Sequence, residues 1–435
     1  MKRLFFLPAV LVASSVWAAS QDRLVVHEWG TFTSLQDEQG SSIGGINTDD
    51  EPVPEFVHRI SSWLVIPPTR ALGGKGKGMP GCHPDVTMRL ETPVIYFHPE
   101  PGWKPRPVDV HVALSQGWLT EYYPDAIFRA PGLDEKNAKR VVTNAPGARR
   151  DWAAFGHLPR TAGELSWKGL TLGGKSEGPT TSENVWLAPR AVDAAAVKNS
   201  AGEAEKFLFY RGAAHLDGPI SVARKGGTLE IHDQHGQISM IDAPENLRIH
   251  AAWLVDVNAA GECAFRALGE IKWGVPHFRA STAAEFAKGD FRPENLAALK
   301  SGMREEIVRE GLFPDEADAL LNTWTVSYFK SPGLRLFYIC PHCDIESVLR
   351  LDVPAANHVT RVMIGRIELV TPEQRALLAK LATDPEEEQR RDYLALGRFR
   401  NALLLDEEKR RPSPALKEFI VKNNLSAYTV DLARS

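Results

Sequence analysis

Cysteine is scarce in this chain, four in 435 residues, too few for the dense disulfide framework of a small secreted scaffold. There is no basic surplus: 51 Lys and Arg against 55 Asp and Glu leave a formal charge of −4. A nucleic-acid partner is therefore not expected. Beyond the first eighteen residues no apolar run approaches the length of a membrane-crossing helix, so no stable membrane insertion of the mature chain is expected. No internal repeat is visible, which argues against a solenoid or propeller. What is present looks globular. Apolar residues make up 43% and charged residues 24%, which excludes wholesale disorder. The length admits two or three domains, and 34 Gly with 30 Pro favour many turns and short strands.

The N-terminus has the three parts of a secretory signal. Lys2 and Arg3 form the positive start, Leu4 to Val12 the apolar stretch, and Val16-Trp17-Ala18 the small-residue cleavage site. Residues 1–18 are read as a signal peptide, with a mature chain beginning at Ala19 or Ser20, in the periplasm or secreted. In that compartment Cys82, Cys263, Cys340 and Cys343 read first as two disulfides. Pro341 favours a β-turn that brings Cys340 and Cys343 within bridging range. Cys82–Cys263 follows by elimination.

Hydrophobic periodicity divides the chain. Residues 19–275 read as a β-sandwich-like antiparallel domain, with strands at Leu24–Ser34, Met88–His98, Val108–Leu114 and several later stretches. Pro93 marks an edge or a bulge in the second of these. Residues 276–370 read as a smaller α+β domain. Its first helix carries Leu296, Leu299, Met303 and Ile307 and stops at Gly311. Residues 371–435 read as a helical C-terminal segment.

Three well-known motifs occur literally and fail on context. Gly169 to Ser176 matches a phosphate-binding loop but no helix follows it. Gly76 to Gly81 matches a dinucleotide fingerprint and runs into Cys82-His83-Pro84. Gly40 to Gly44 matches a nucleophile elbow and reads better as a hairpin turn. His232 and His235 can reach one metal around a turn, without an obvious third ligand. Cys340-Pro341-His342-Cys343 resembles the active-site motif of DsbA-type periplasmic thiol oxidases, over four residues only. This leaves thiol–disulfide chemistry or a thiolate metal site as alternatives to a structural disulfide.

The strand Leu24–Ser34 is unusual on both faces. Val25, His27, Trp29 and Thr31 share one side, and Val26, Glu28, Gly30 and Phe32 the other. Whichever side is buried carries an ionisable group that needs a partner. Arg211 and Arg89 are the candidate partners for Glu28. Asp49, Asp50 and Glu51 then form an acidic loop suited to Ca²⁺. His27 to Ser34 (HEWGTFTS), Glu51 to Val57 (EPVPEFV) and Glu91 to Phe97 (ETPVIYF) together resemble a group of bacterial exported proteins, through most of the β part. The resemblance implies membership of one family and carries no activity, substrate or cofactor.

Two functional expectations follow. The first is an envelope ligand-binding or assembly protein, presenting aromatics and the acidic loop to a glycan, peptide or envelope protein. The second is a metal-dependent or hydrolase-like periplasmic enzyme built on His27, Glu28 and nearby acids, with Ca²⁺ or Zn²⁺ as the metal. No other cofactor is expected. His27, Glu28, Trp29, Asp49, Asp50, Glu51 and Arg211 are the candidate site residues. An exposed aromatic platform would favour the first expectation, and convergent carboxylates and imidazoles the second.

Overall fold

A computed structural model describes residues 22–47, 53–60, 86–130, 161–174, 176, 178–234, 248–272, 278–381, 383 and 386–422. The signal segment, the Asp49-Asp50-Glu51 loop, Cys82, His235 and the glycine fingerprint at 76–81 lie outside them.

The protein is mostly β, with several antiparallel sheets in the N-terminal part and helices mainly in the C-terminal part. A central sheet has nine strands. In spatial order they are β14 (Cys263–Ile271), β13 (Ile249–Val257), β16 (Gly333–Ile339), β18 (His358–Leu369), β1 (Leu24–Gln36), β3 (Met88–Pro99), β10 (Leu208–Ala214), β5 (Gly117–Tyr123) and β2 (His58–Arg59). A six-stranded sheet runs β17 (Leu349–Asp352), β4 (Val108–Ser115), β7 (Ala162–Leu172), β8 (Val197–Lys198) and β9 (Ala204–Glu205), with β6 (Ile127–Arg129) beside β7. A third sheet holds β11 (Ile220–Lys225), β12 (Thr228–Asp233) and β15 (Phe278–Ala283).

The central sheet is buried on both faces. Val26 and Phe32 of β1, Leu90 and Ile95 of β3, and Met363 of β18 pack in one cluster with Val110, Trp167, Val222 and Ile231 of the smaller sheets. This is the sandwich core. On the opposite face Trp29, Tyr96 and Phe209 meet α2 (Asn295–Arg309), α3 (Pro314–Thr323) and α4 (Thr325–Phe329) through Leu299, Met303, Ile307, Leu320 and Tyr328. The helical spacing of Leu299, Met303 and Ile307 puts them on one buried stripe of α2. Gly311, at φ +107°, supplies the left-handed stop. Beyond α1 (Asn184–Arg190) and α5 (His342–Val348), the remaining helices are α6 (Pro372–Leu381), α7 (Glu386–Ala395), α8 (Arg400–Arg410) and α9 (Pro414–Lys422). They bury Leu378, Tyr393, Leu403 and Phe419 against Leu35 and Trp118.

The boundary expected at 275/276 does not divide this sheet. β16 and β18 stand between β13 and β1, and β18 pairs with β1 in parallel, Glu28 opposite Arg361. A parallel pairing across more than three hundred residues leaves no local mark for periodicity to detect.

Pro93 does mark a bulge, but in the interior strand β3 rather than at an edge. Register shifts on both sides there, between Trp29 and Thr31 and between Phe209 and Gly212, and Thr92 sits at φ +45°. Gly30 lies against the bulge. A Cβ at position 30 would come within 3.0 Å of both the Pro93 Cα and the Met363 sulfur. The glycine of the HEWGTF string is thereby explained by packing.

Candidate metal centre

Alternation along β1 sends His27 to the helix-covered face and Glu28 into the sandwich core, so the two adjacent residues enter separate environments. The first is the more suggestive. His27 pairs across the sheet with Tyr96, and His98, two residues further along β3, shares its face. The third member comes from α3. Pro314 opens that helix and Glu316 fills the third position of its first turn, where its carboxylate accepts the Phe313 backbone N–H at 2.7 Å.

His27 Nδ1 lies 2.7 Å from Glu316 Oε2, and His98 Nε2 lies 2.9 Å from Glu316 Oε1. One donor atom from each residue falls within 4.8 Å of the others. His27 and Glu316 are buried, and His98 is partly open. Burial alone would raise the Glu316 carboxyl, but hydrogen bonds from both imidazoles and from the Phe313 N–H hold it down to about 2. The carboxylate is therefore ionised and acceptor-only. Phe313 covers the group, its ring 4.6 Å from His27 and 4.8 Å from His98, and is itself 42% exposed. The cluster thus reaches the surface beside one aromatic side chain.

Two imidazole nitrogens and a carboxylate oxygen are a donor set for zinc and related transition metals; Ca²⁺ prefers oxygen alone. Donors about 2 Å from a tetrahedral ion lie roughly 3.3 Å apart. The two nitrogen–oxygen contacts, to different oxygens of the carboxylate, are shorter than that spacing, and the three donors lie within 4.8 Å of one another, so holding an ion would require the side chains to readjust.

The other candidates are distributed differently. Glu28 is fully buried with Arg361, Nε to Oε2 2.6 Å, and accepts the Tyr210 hydroxyl. Its partner is neither Arg211 nor Arg89. Arg211 projects from β10 on the side opposite Tyr210, where it faces Glu121 at 3.6 Å and Thr92 Oγ1 at 3.2 Å. Arg89 pairs with Glu91 at 3.0 Å. Strand parity forbids either from reaching Glu28. Trp29 is fully buried beside Tyr96. Trp118, Trp167, Trp186, Trp253 and Trp324 are also core residues, and Trp103 lies half-buried under Arg106. Among the described residues no tryptophan platform faces solvent.

Neither expected disulfide is formed, since Cys263 and Cys340 are both unbonded thiols. Pro341 does not sit inside a β-turn; it caps α5, so the chain leaves β16 directly into a helix. Cys340 ends buried in the sandwich core, whereas Cys343 lies on the first turn of α5 beside Asp344. Burial, with Asp344 adding to it, pushes the Cys340 thiol well up, the reverse of an activated redox cysteine. Of the other literal motifs, the two that fall among the described residues open no helix: residues 169–172 belong to β7, and 40–44 form a turn and an isolated bridge.

His98 and Glu316 were not singled out by sequence reasoning. His98 carried a weak signal, as the last residue of the strand expected over Met88–His98. Glu316 carried none beyond a capping position. No helix among the described residues is long and apolar enough to cross a membrane.

No family model and no curated protein matches this sequence. Among solved structures it is similar to the Fcho1 Mu homology domain of Danio rerio with bound Eps15 peptide, at 8% identity and a TM-score of 0.24. That match covers 80% of this chain and 97% of the other, and at such a score the likeness supports no conclusion about fold or ligand.

Proposed function

We propose that the protein is an exported, metal-dependent enzyme of the hydrolase type, with His27, His98 and Glu316 as the ligands of a zinc-class ion. One observation carries this reading: imidazoles from two strands converge on one buried carboxylate delivered by the first turn of a helix. Closed structural zinc sites use four protein ligands, whereas catalytic sites use three and keep a position for water. Among the described residues the set is two His and one Glu, which is of the second kind. An ion held by His27, His98 and Glu316 would supply Lewis-acid polarisation of a carbonyl or phosphoryl oxygen and a more acidic bound water. The protein's part is to hold the donors in place. The β1–β3 pairing fixes both imidazoles, and the Phe313 N–H orients the carboxylate. Glu28 is a structural residue in this reading, on the far side of the strand.

The test is elemental analysis of purified mature protein, before and after zinc reconstitution, beside Glu316→Gln and His98→Ala. About one zinc per chain is expected for the parent, with loss in both variants. A parent chain that retains and takes up no transition metal overturns the proposal.

A further inference from the structure

With His27, His98 and Glu316 as metal ligands, the side chains around them select the substrate. Of the large apolar side chains exposed among the described residues, Phe313 is the one in ring contact with both imidazoles. Its position is set from both sides. Gly311 turns the chain at φ +107°, Leu312 is buried, the Phe313 N–H is tied to Glu316, and Pro314 opens α3. The ring therefore stands outward on a fixed stretch of backbone, tilted 55° to His27 and 76° to His98. A group carried by a substrate at this centre has an aromatic wall beside it.

Charge narrows the choice further. Among the described residues Glu316 pairs with His27 and His98 and with no Lys or Arg. Asp315, one residue before it, accepts the backbone N–H groups of Asp193 and Glu316, which puts a second carboxylate beside the ligand. Arg23, just before β1, is already paired with Glu100 at 3.7 Å. A divalent ion balances the two carboxylates. A phosphate dianion would then bring charge that no cation meets, whereas an ester or amide carbonyl brings none. We infer that the centre takes an ester or amide with an apolar, ring-sized group beside the carbonyl, and that Phe313 packs on that group and determines specificity. This assignment rests on the metal reading above. In the reaction water adds to the carbonyl carbon, the C–O or C–N bond breaks, and the leaving group takes the proton; water is the co-reactant.

The probes are benzohydroxamate and acetohydroxamate, which present one chelating carbonyl group with and without a ring, and phenylphosphonate, which carries the ring on a dianion. Binding is measured by calorimetry on the whole zinc-loaded protein, beside Phe313→Ala, which keeps the backbone N–H on Glu316. Benzohydroxamate is expected to bind the parent about tenfold or more tighter than acetohydroxamate, and phenylphosphonate to bind more weakly than benzohydroxamate. In Phe313→Ala the two hydroxamates should come within about threefold of each other, with zinc stoichiometry unchanged. A zinc-loaded parent that binds both hydroxamates equally, or neither, overturns the inference and leaves the metal centre standing. Phenylphosphonate binding as tightly as benzohydroxamate overturns the choice of a carbonyl substrate, and a ring preference retained in Phe313→Ala overturns the role of that residue. A parent that takes up no zinc overturns the metal centre itself and this inference with it, so the two failures are told apart by metal content. The hydroxamate and phosphonate comparisons are read on the parent, and they hold even if the variant fails to fold.

Discussion

Removing Glu28 should be among the most damaging single changes in the central sheet. The Glu28 side chain is fully buried and that of Arg361 is 1% exposed, with Nε and Oε2 2.6 Å apart. Burial alone would lower the Arg361 pKa, but Glu28 together with Glu346 raises it. Taking one partner from a buried pair costs about 3–5 kcal/mol, because the other charge is stranded. Here Arg361 keeps Glu346 Oε1 at 2.6 Å and the Leu349 carbonyl at 2.7 Å, so the lower part of that range applies. The Tyr210 hydroxyl, however, loses its acceptor in the core, adding about 1–2 kcal/mol. Glu28→Ala should therefore cost about 4–6 kcal/mol, a large share of an ordinary total of about 5–15. Glu28→Gln keeps an acceptor for Tyr210 and should cost roughly half as much. Urea unfolding followed by circular dichroism measures both, the midpoint falling with an unchanged slope. A second arm replaces both charges: Glu28→Leu with Arg361→Met should recover much of the loss. Zinc stoichiometry should be unchanged in Glu28→Gln, since Glu28 faces away from His27. An alanine variant within about 1 kcal/mol of the parent would refute the reasoning.

Three further outcomes are expected. A Glu316 carboxyl held at about 2 instead of 4.5 contributes about 3 kcal/mol to the metal-free protein. Because the folded pKa is the depressed one, that stability is fully present above pH 4.5 and is lost as pH falls towards 2; Glu316→Gln should flatten acid unfolding in this window, and an unchanged profile would count against the triad. Gly30→Ala should cost about 1–3 kcal/mol, as the new Cβ meets the Pro93 backbone, and a neutral result in thermal melts would show that the bulge can move. Cys263, pushed up by burial to about 11, and the buried Cys340 should react with a disulfide reagent only after unfolding, without prior reduction, and the native protein should not reduce insulin; rapid native-state titration would contradict their burial.

Features set by local chemistry were legible in the sequence, and features set by distant pairing were not. The helical stripe of α2, its stop at Gly311 and the bulge at Pro93 follow from residues within a turn or two of one another. The two-sided character of β1 is of the same kind, because parity alone separates His27 from Glu28. What completes each side is remote. Glu316 is 289 residues from His27, and Arg361 is 333 from Glu28. Arg211 and Arg89 were reasonable partners by charge and burial, yet both point to the helix side of the sheet, away from Glu28. The Cys340 region failed for a different reason. Proline at its position serves equally as the second residue of a β-turn or as the entry to a helix, and only the packing of Ile345 and Leu349 into the sandwich core selects the helix. A buried ionisable residue in a strand thus announces from sequence that a partner exists and on which face it lies. Its identity is fixed by topology, and here a parallel pairing and a helix N-terminus supply the two partners from the far end of the chain.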